Sequence, residues 1–282
     1  MEPASLANFK MPFVFPVGSA KLSVIPFTSD GLGPQAGFEL LNTGAVGSGR
    51  GIEHGKQTSA QQFIGTTDSD AGAAEGIAFV AYHNMGYLNY TAWIPSHSTS
   101  PGVNAIASYL RGALTQQFGD WDLGGGVQWW GGTSRLDGVE DRHRAWSIDA
   151  QAQGKVGKMD LGLYLSYAVA NKTNPGDVAN AYNPGPNDRK AFAIMGQLGV
   201  IPNKVILTLG YLAGKTGAAT NDSDNAFTVG AAYKVTQNVK LELDITKFNG
   251  SAYDNSKSTD NGQINGGGNG DMKTTLMLSS AF

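Results

Sequence analysis

From Ala231 to Phe248 the chain reads AAYKVTQNVKLELDITKF. Val239, Leu241, Leu243 and Ile245 alternate with Lys240, Glu242, Asp244 and Thr246, the period-two pattern of a strand with one apolar and one polar face. The same alternation recurs along most of the chain. In KTTLMLSSAF, Thr274, Leu276, Leu278, Ser280 and Phe282 share a face. AFTVGAAYK, with Phe227, Val229, Ala231 and Tyr233 on its apolar face, joins NVKLELDITKF across the tight VTQN turn. KAFAIMGQLGV and KVILTLGYLA flank IPN, where Pro202 sits at a position that needs no ladder N–H. AWSIDAQAQG and MDLGLYLSYA flank KVGK, and YLRGALTQQF and WDLGGGVQWW flank a two-residue GD turn. Four hairpins thus share one construction.

The segments between these hairpins are of another kind. Gly132 to Arg144, Val169 to Arg189, Gly214 to Asn225 and Asn249 to Asp271 are long and rich in Gly, Asn, Asp, Ser and Pro. Short and long connections alternate strictly. In the N-terminal third the expected strands are Ala20 to Thr28, Gln35 to Asn42, Lys56 to Gly65, Gly76 to Tyr82 and Gly86 to Ile94, which brings the total to about fourteen. Residues 1–18 are expected as a periplasmic or lumenal segment and 19–282 as one barrel. GAVGSGRGIEHG fits this phase poorly, because it is long and glycine-rich where a short turn is required.

Alternating strands suit a soluble sandwich as well as a membrane barrel. A sandwich must bury an apolar face from every strand against a second layer. Here the opposite faces, such as Ser147, Asp149, Gln151 and Gln153, are polar throughout, so each strand carries a single apolar face. A closed sheet with lipid outside and water inside meets that condition, and closure leaves no backbone edge in hydrocarbon. Aromatic residues fall near the strand ends and define an expected girdle of Tyr87, Tyr90, Trp93, Phe118, Trp121, Trp129, Trp130, Tyr211, Phe248 and Phe282. Amphipathic rings favour the two bilayer interfaces. The pattern therefore predicts an all-β, antiparallel transmembrane β-barrel of about 14 strands (12–16), with short periplasmic turns and long external loops.

Composition narrows the chemistry. The 282 residues include 39 glycines and no cysteine, with 15% charged residues and a net charge of −3. There is no basic field for nucleic acid, and disulfides, thiolate metal sites and Cys-x-x-Cys-His haem attachment are excluded. No apolar run reaches the roughly 18 residues of a transmembrane helix. The mean hydropathy of −0.21 suits strands that are apolar on one side only. MEPASLANFKMPFVFPVG has no basic n-region followed by an apolar h-region, which points either to a signal removed ahead of Met1 or to part of a longer chain.

Strand phase places Lys21, Glu39, Arg111, Asp149, Asp160, Lys240, Glu242, Asp244 and Lys273 on the lumenal side. These charges form either compensating wall pairs or a constriction that selects solutes. His54, His83, His97 and His143 stand singly in loop or turn sequence, so no metal ligand set is expected. Asp68 to Asp70 and Asn221 to Asp224 offer hard oxygen ligands without an EF-hand pattern. There is no Gly-x-Ser-x-Gly elbow, and the glycines of DLGGGVQ lie inside a strand, so neither a catalytic residue nor a cofactor site is expected.

The segments AKLSVIPFTSDGLGPQAGFELLNTGAV, TSAQQFIGT, NYTAW, ASYLRGAL, DAQAQGKVG, LGVIPNK and GSAYDN resemble the porin portion of bacterial outer-membrane proteins in which a small cytochrome precedes a barrel. The terminal alternation ending at Phe282 likewise resembles the insertion signal of outer-membrane barrels, with Ser280 more polar than usual there. The resemblance implies a barrel associated with electron transfer, but the family's haem-binding cysteines are missing. Three readings follow. The first is an outer-membrane porin for ions or small hydrophilic solutes, with lipid and lipopolysaccharide around it and small lumenal residues such as Gly162, Ser166, Thr208, Gly210, Thr228 and Gly230 leaving room for water. The second, implied by the resemblance alone, is a sheath that positions a fused or separate cytochrome. The third is an outer-membrane hydrolase or adhesin, for which no site is discernible in the sequence.

Overall fold

A computed structural model describes residues 8–29, 33–38, 59–65, 74–95, 105–136, 139–253 and 270–280. It is an antiparallel sheet of fourteen strands. The strands are β1 (Asn8–Lys10), β2 (Phe13–Val17), β3 (Ala20–Ser29), β4 (Ala74–His83), β5 (Gly86–Pro95), β6 (Ala107–Phe118), β7 (Trp121–Gly131), β10 (Ala145–Val156), β11 (Met159–Ala170), β12 (Arg189–Ile201), β13 (Val205–Lys215), β14 (Ser223–Lys234), β15 (Val239–Asn249) and β16 (Met272–Ser280). A separate small hairpin, β8 (Thr133–Leu136) with β9 (Val139–Arg142), lies in the connection between β7 and β10. From β3 to β16 each strand pairs with the next in the meander, so neighbours in space are neighbours in sequence.

Tight turns give the hairpins their register. Gly18, Gly119 and Gly157 have φ near +60° at the first central position of two-residue loops, where a primed turn matches strand twist and a side chain would be strained. The IPN turn uses Asn203 with φ 58°, one of the few non-glycine types that tolerate this region. All these turns lie at one end of the sheet. The long connections lie at the other.

Exposure is inverted relative to a soluble protein. Leu241, Leu243 and Ile245 are about 40% exposed, while Asp244 and Thr246 on either side of Ile245 are buried. On β10, Trp146 and Ile148 are exposed and Ser147 and Asp149 buried. The same holds for Leu163 and Leu165 around Tyr164, and for Leu207, Leu209 and Tyr211 around Thr208. A face of this size made of Leu, Ile, Val and Phe has water's worst solvation energy and hydrocarbon's best. The inward positions carry Ser, Thr, Gln, Asp, Arg and glycine, together with a buried apolar cluster towards the long connections.

The N-terminal third departs from expectation in three places. Gly33–Gly37, overlapping the start of the expected strand Gln35 to Asn42, is a 3-10 turn, and all five of its residues are buried. Ala60–Phe63, within the expected strand Lys56 to Gly65, is a short helix, α1. Both are packed inside the sheet's curve, against β3, β4 and β5 in one case and β11, β12 and β13 in the other. β3 and β4 are neighbours in the sheet with residues 30–73 between them in sequence, and residues 44–55, whose phase is awkward, lie outside the described residues. Conversely, residues 8–17, expected as part of a periplasmic or lumenal segment, supply β1 and β2, which pair with β3. Two prolines, Pro12 and Pro16, had masked that strand. The strand number thus agrees with expectation while its membership differs.

Candidate functional site: the lumen

The inward faces divide the lumen into two zones. At the long-loop end, Phe27, Ala74, Trp93, Tyr109, Trp130, Ala145, Ala168, Ala170, Ala191, Leu212, Ala226 and Phe248 form one continuous buried cluster with Phe63 and Ile64 beside α1. The many alanines leave space for the inward-folded segments. The Ala60 N–H donates to Ser166 Oγ at 2.9 Å, Arg189 lies over the Phe63 ring at 5.3 Å, and a Cβ on Gly214 would collide with that ring. Lys10 Nζ donates to the carbonyls of Ala36 and Phe38 at 3.5 Å, holding the other segment.

Above this band, His143 is buried between Trp93 and Tyr182, with ring centroids 4.8 and 5.6 Å away. Its Nε2 lies 2.8 Å from Ser134 Oγ. Burial lowers its pKa from 6.5 to about 4, because a charged ring there would lose its hydration. Burial likewise pushes the Tyr182 hydroxyl far above its ordinary range. The connection that carries Tyr182 is stitched by two buried amides. Asn180 Nδ2 donates to the carbonyls of Arg144 (2.9 Å) and Asn171 (2.6 Å), and Asn183 Nδ2 to those of Ala170 (3.0 Å) and Asn187 (2.8 Å).

At mid-height Arg111 and Asp149 form a bidentate pair, Nη1 to Oδ2 at 2.8 Å and Nη2 to Oδ1 at 3.2 Å, with both side chains buried. Arg111 Nε also donates to the Tyr87 hydroxyl at 2.6 Å, and Gln128 Nε2 to Asp149 Oδ2 at 3.3 Å. Tyr87, Arg111, Asp149 and Gln151 face a cavity of about 310 Å³. Towards the short turns the lumen widens into a cavity of about 600 Å³ lined by Gln117, Asp122, Gln153, Asp160, Tyr164 and Gln197.

The sequence-derived wall charges fall as follows. Arg111, Asp149 and Asp244 are buried on the lumenal side, and Gly230 lies opposite Asp244, where a Cβ would strike the carboxylate. Lys240 and Glu242 pair at 2.9 Å, and Lys155 lies 4.0 Å from Asp160 at the rim. Lys21 stands 5.9 Å above the Tyr82 ring. Lys273 sits across from Thr246 on the same face. Glu39 and Phe282 lie outside the described residues, as do His54 and His97. Among the described residues most of these charges are drawn into pairs, and Arg111 with Asp149 builds a larger network with Tyr87 and Gln128.

The girdle needs correction. Tyr90, Phe118, Trp121, Trp129 and Tyr211 lie on the outward face. Trp93, Trp130 and Phe248 are at most 2% exposed and point inward into the apolar cluster, and Tyr87 points inward to Arg111. Adjacent residues such as Trp129 and Trp130 face opposite sides of a strand, so proximity to a strand end does not decide the face. Trp146, Tyr167 and Tyr233, outward aromatics outside the expected girdle, could have been found from parity alone. His143, Asn180 and Asn183 carried no sequence signal.

Among the described residues no three His, Asp or Glu side chains gather into a metal site. Comparison with protein-family models and with curated sequences finds no match. Solved structures do match. OccAB1 of Acinetobacter baumannii has a TM-score of 0.53 at 13% identity, over 97% of this chain and 67% of that one. The outer membrane protein opdK of Pseudomonas aeruginosa gives 0.52 at 12%, over 97% and 68%, and OccK2 (OpdF) of the same organism 0.52 at 11%, over 97% and 69%. At such identities the likeness speaks for architecture, and together with the inverted exposure it gives this chain the fold of an outer-membrane β-barrel.

Proposed function

We propose that the chain is an outer-membrane channel for passive diffusion of ions or small hydrophilic solutes. The observation that carries this reading is the inverted exposure: the long strands turn Leu, Ile, Val and aromatic side chains outward, and their inward faces towards the short turns carry mostly polar or small residues. Lipid and lipopolysaccharide are the surroundings such a surface requires, and the bacterial outer membrane is the matching location. The polar cavity at the short-turn end supplies a water-filled entrance. The paired wall charges at mid-height supply a constriction whose field acts on the passing solute.

Planar-bilayer recording of the refolded chain tests the reading. Discrete ohmic current steps are expected, and bilayers that stay silent with fully folded protein would sink it. Asp149→Asn combined with Asp244→Asn is expected to lower cation preference in reversal potentials, and an unchanged value removes these two from the selective wall. The cytochrome-sheath reading draws only on the sequence resemblance. It predicts little current in the intact assembly and current once the cytochrome is stripped away.

A further inference from the structure

Gly162 and Gly230, small lumenal positions expected to leave room for water, are both buried. In each case another lumenal side chain lies over the glycine. The Tyr164 ring, two residues further along β11 on the same face, folds back over Gly162, so that a Cβ there would stand 2.8 Å from the Tyr164 hydroxyl oxygen and 2.9 Å from Cε2. Tyr164 is itself buried, packed with Met195 across on β12. Asp244 on β15 covers its cross-strand partner Gly230 on β14, where a Cβ would meet the carboxylate. Gln151 on β10 lies over its partner Gly124 on β7, with Nε2 3.1 Å and Cγ 3.2 Å from the place a Cβ would take. One row deeper, Arg111 passes over Gly126 of β7 to reach Asp149 on β10, its Nη2 3.2 Å from the place of a Cβ at 126.

A glycine inside a strand weakens it unless another group must come close to the backbone there. At Gly124 and Gly162 the atoms nearest to an added Cβ all belong to the overlying Gln151 or Tyr164 side chain, so what lies on these two glycines is what requires them. Gly126 differs, because a Cβ there would also come within 2.8 Å of the Gly112 carbonyl oxygen. A side chain pushed off such a seat moves to another staggered rotamer. With the wall behind it, the open direction is the passage. Thr115, Gly124, Gln151 and Tyr164 are successive cross-strand partners and form one row of the wall. Gln151 lines the cavity of about 310 Å³ and Tyr164 the cavity of about 600 Å³, so this row is where the two meet.

We propose that Gly124 and Gly162 set the aperture of the lumen where the two cavities meet, by giving Gln151 and Tyr164 a place flat against the wall. The proposal rests on the channel reading above and names the positions that fix the channel's width. In the full chain refolded in detergent and placed in planar bilayers, Gly162→Ala and Gly124→Ala are each expected to lower single-channel conductance. In the Tyr164→Ala and Gln151→Ala backgrounds, respectively, the same substitutions are expected to lower it no further. Gly199→Ala on β12, in the wall of the same wide cavity, is expected to change nothing, because a Cβ there finds Asp160 at an ordinary 3.5 Å. A second readout needs no current. The chain has no cysteine, so Ala113→Cys, paired with Gly126 one row deeper, reports maleimides of graded size that enter from the short-turn end. Gly162→Ala should slow the larger maleimides and spare the smallest. Silent bilayers with that size-dependent slowing intact would sink the channel and leave the aperture standing. Equal losses with and without the overlying side chain, or no loss in either readout, overturn the proposal. So does a marked rise in conductance or labelling in Tyr164→Ala alone, a variant that keeps the glycine, since a ring already laid along the wall has little passage to give back.

Discussion

The two ends of the lumen are built on the same strands with the same parity, yet one is packed and the other is wet. Near the long loops, inward positions carry alanine, tryptophan and phenylalanine, and the chain folds α1 and the 33–37 turn inside to meet them. Near the short turns, inward positions carry glutamine, aspartate and glycine around a cavity of about 600 Å³. Turns of two to four residues have no chain to spare, so none of them can fold back into that end, and its polar wall is left for water to satisfy. A long loop brings its own apolar side chains, and the wall there has become small and greasy to receive them. The polar-inside rule for barrels thus holds only where no loop enters.

Breaking the packed end should have the largest effect. Trp93→Ala removes a fully buried ring and is expected to destabilise the barrel by about 3–5 kcal/mol, while raising conductance as the band opens. Gln153→Ala at the wet end should shift stability by no more than about 0.5 kcal/mol. Urea unfolding in detergent and single-channel recording read both. At the boundary, Arg111→Met leaves the Asp149 carboxylate buried without its counter-charge, a loss of about 3–5 kcal/mol that Arg111→Met with Asp149→Leu should largely restore.

A smaller effect depends on pH. The buried His143 holds a proton only below about 4, whereas a freed one takes it up near 6.5. Stability of the packed end is therefore complete above the freed value, declines as the pH falls through this window, and levels off below about 4. The full loss is at most about 3 kcal/mol. His143→Gln should flatten the difference in urea midpoint between pH 7 and 4, and an unchanged slope assigns the effect to the carboxylates. Smallest of all is Tyr182→Phe. The buried Tyr182 hydroxyl makes no hydrogen bond among the described residues, so its removal should be neutral or stabilising by no more than about 1 kcal/mol. A larger loss would mean that water fills this end too.

Legibility in the sequence followed the strength of the period. From Ala107 onward, alternation and turn residues located every long strand to within a few residues, because each strand is half in lipid and half in water and the pattern has no competing cause. The hairpin Thr133–Leu136 with Val139–Arg142 escaped, since it stands outside the barrel wall and carries no lipid-facing stripe. Residues 35–37 and 60–63, within the expected strands Gln35 to Asn42 and Lys56 to Gly65, imitated strands because residues that pack inside a lumen are apolar as well. The outward or inward sense of Trp129 and Trp130 was readable from parity, but grouping by position hid it.

What the sequence determined alone was the covering: alternating strands with a single greasy side and glycine turns of alternating length admit a lipid-spanning sheet and little else. Tertiary structure decided the filling. Which loop enters, which tryptophan meets it, and that Arg111 reaches Asp149 across an intervening strand are contacts between residues 38 or more positions apart or on opposite sides of a turn. Local periodicity encodes the solvent each face meets, and it carries no record of the partner that arrives from elsewhere in the chain.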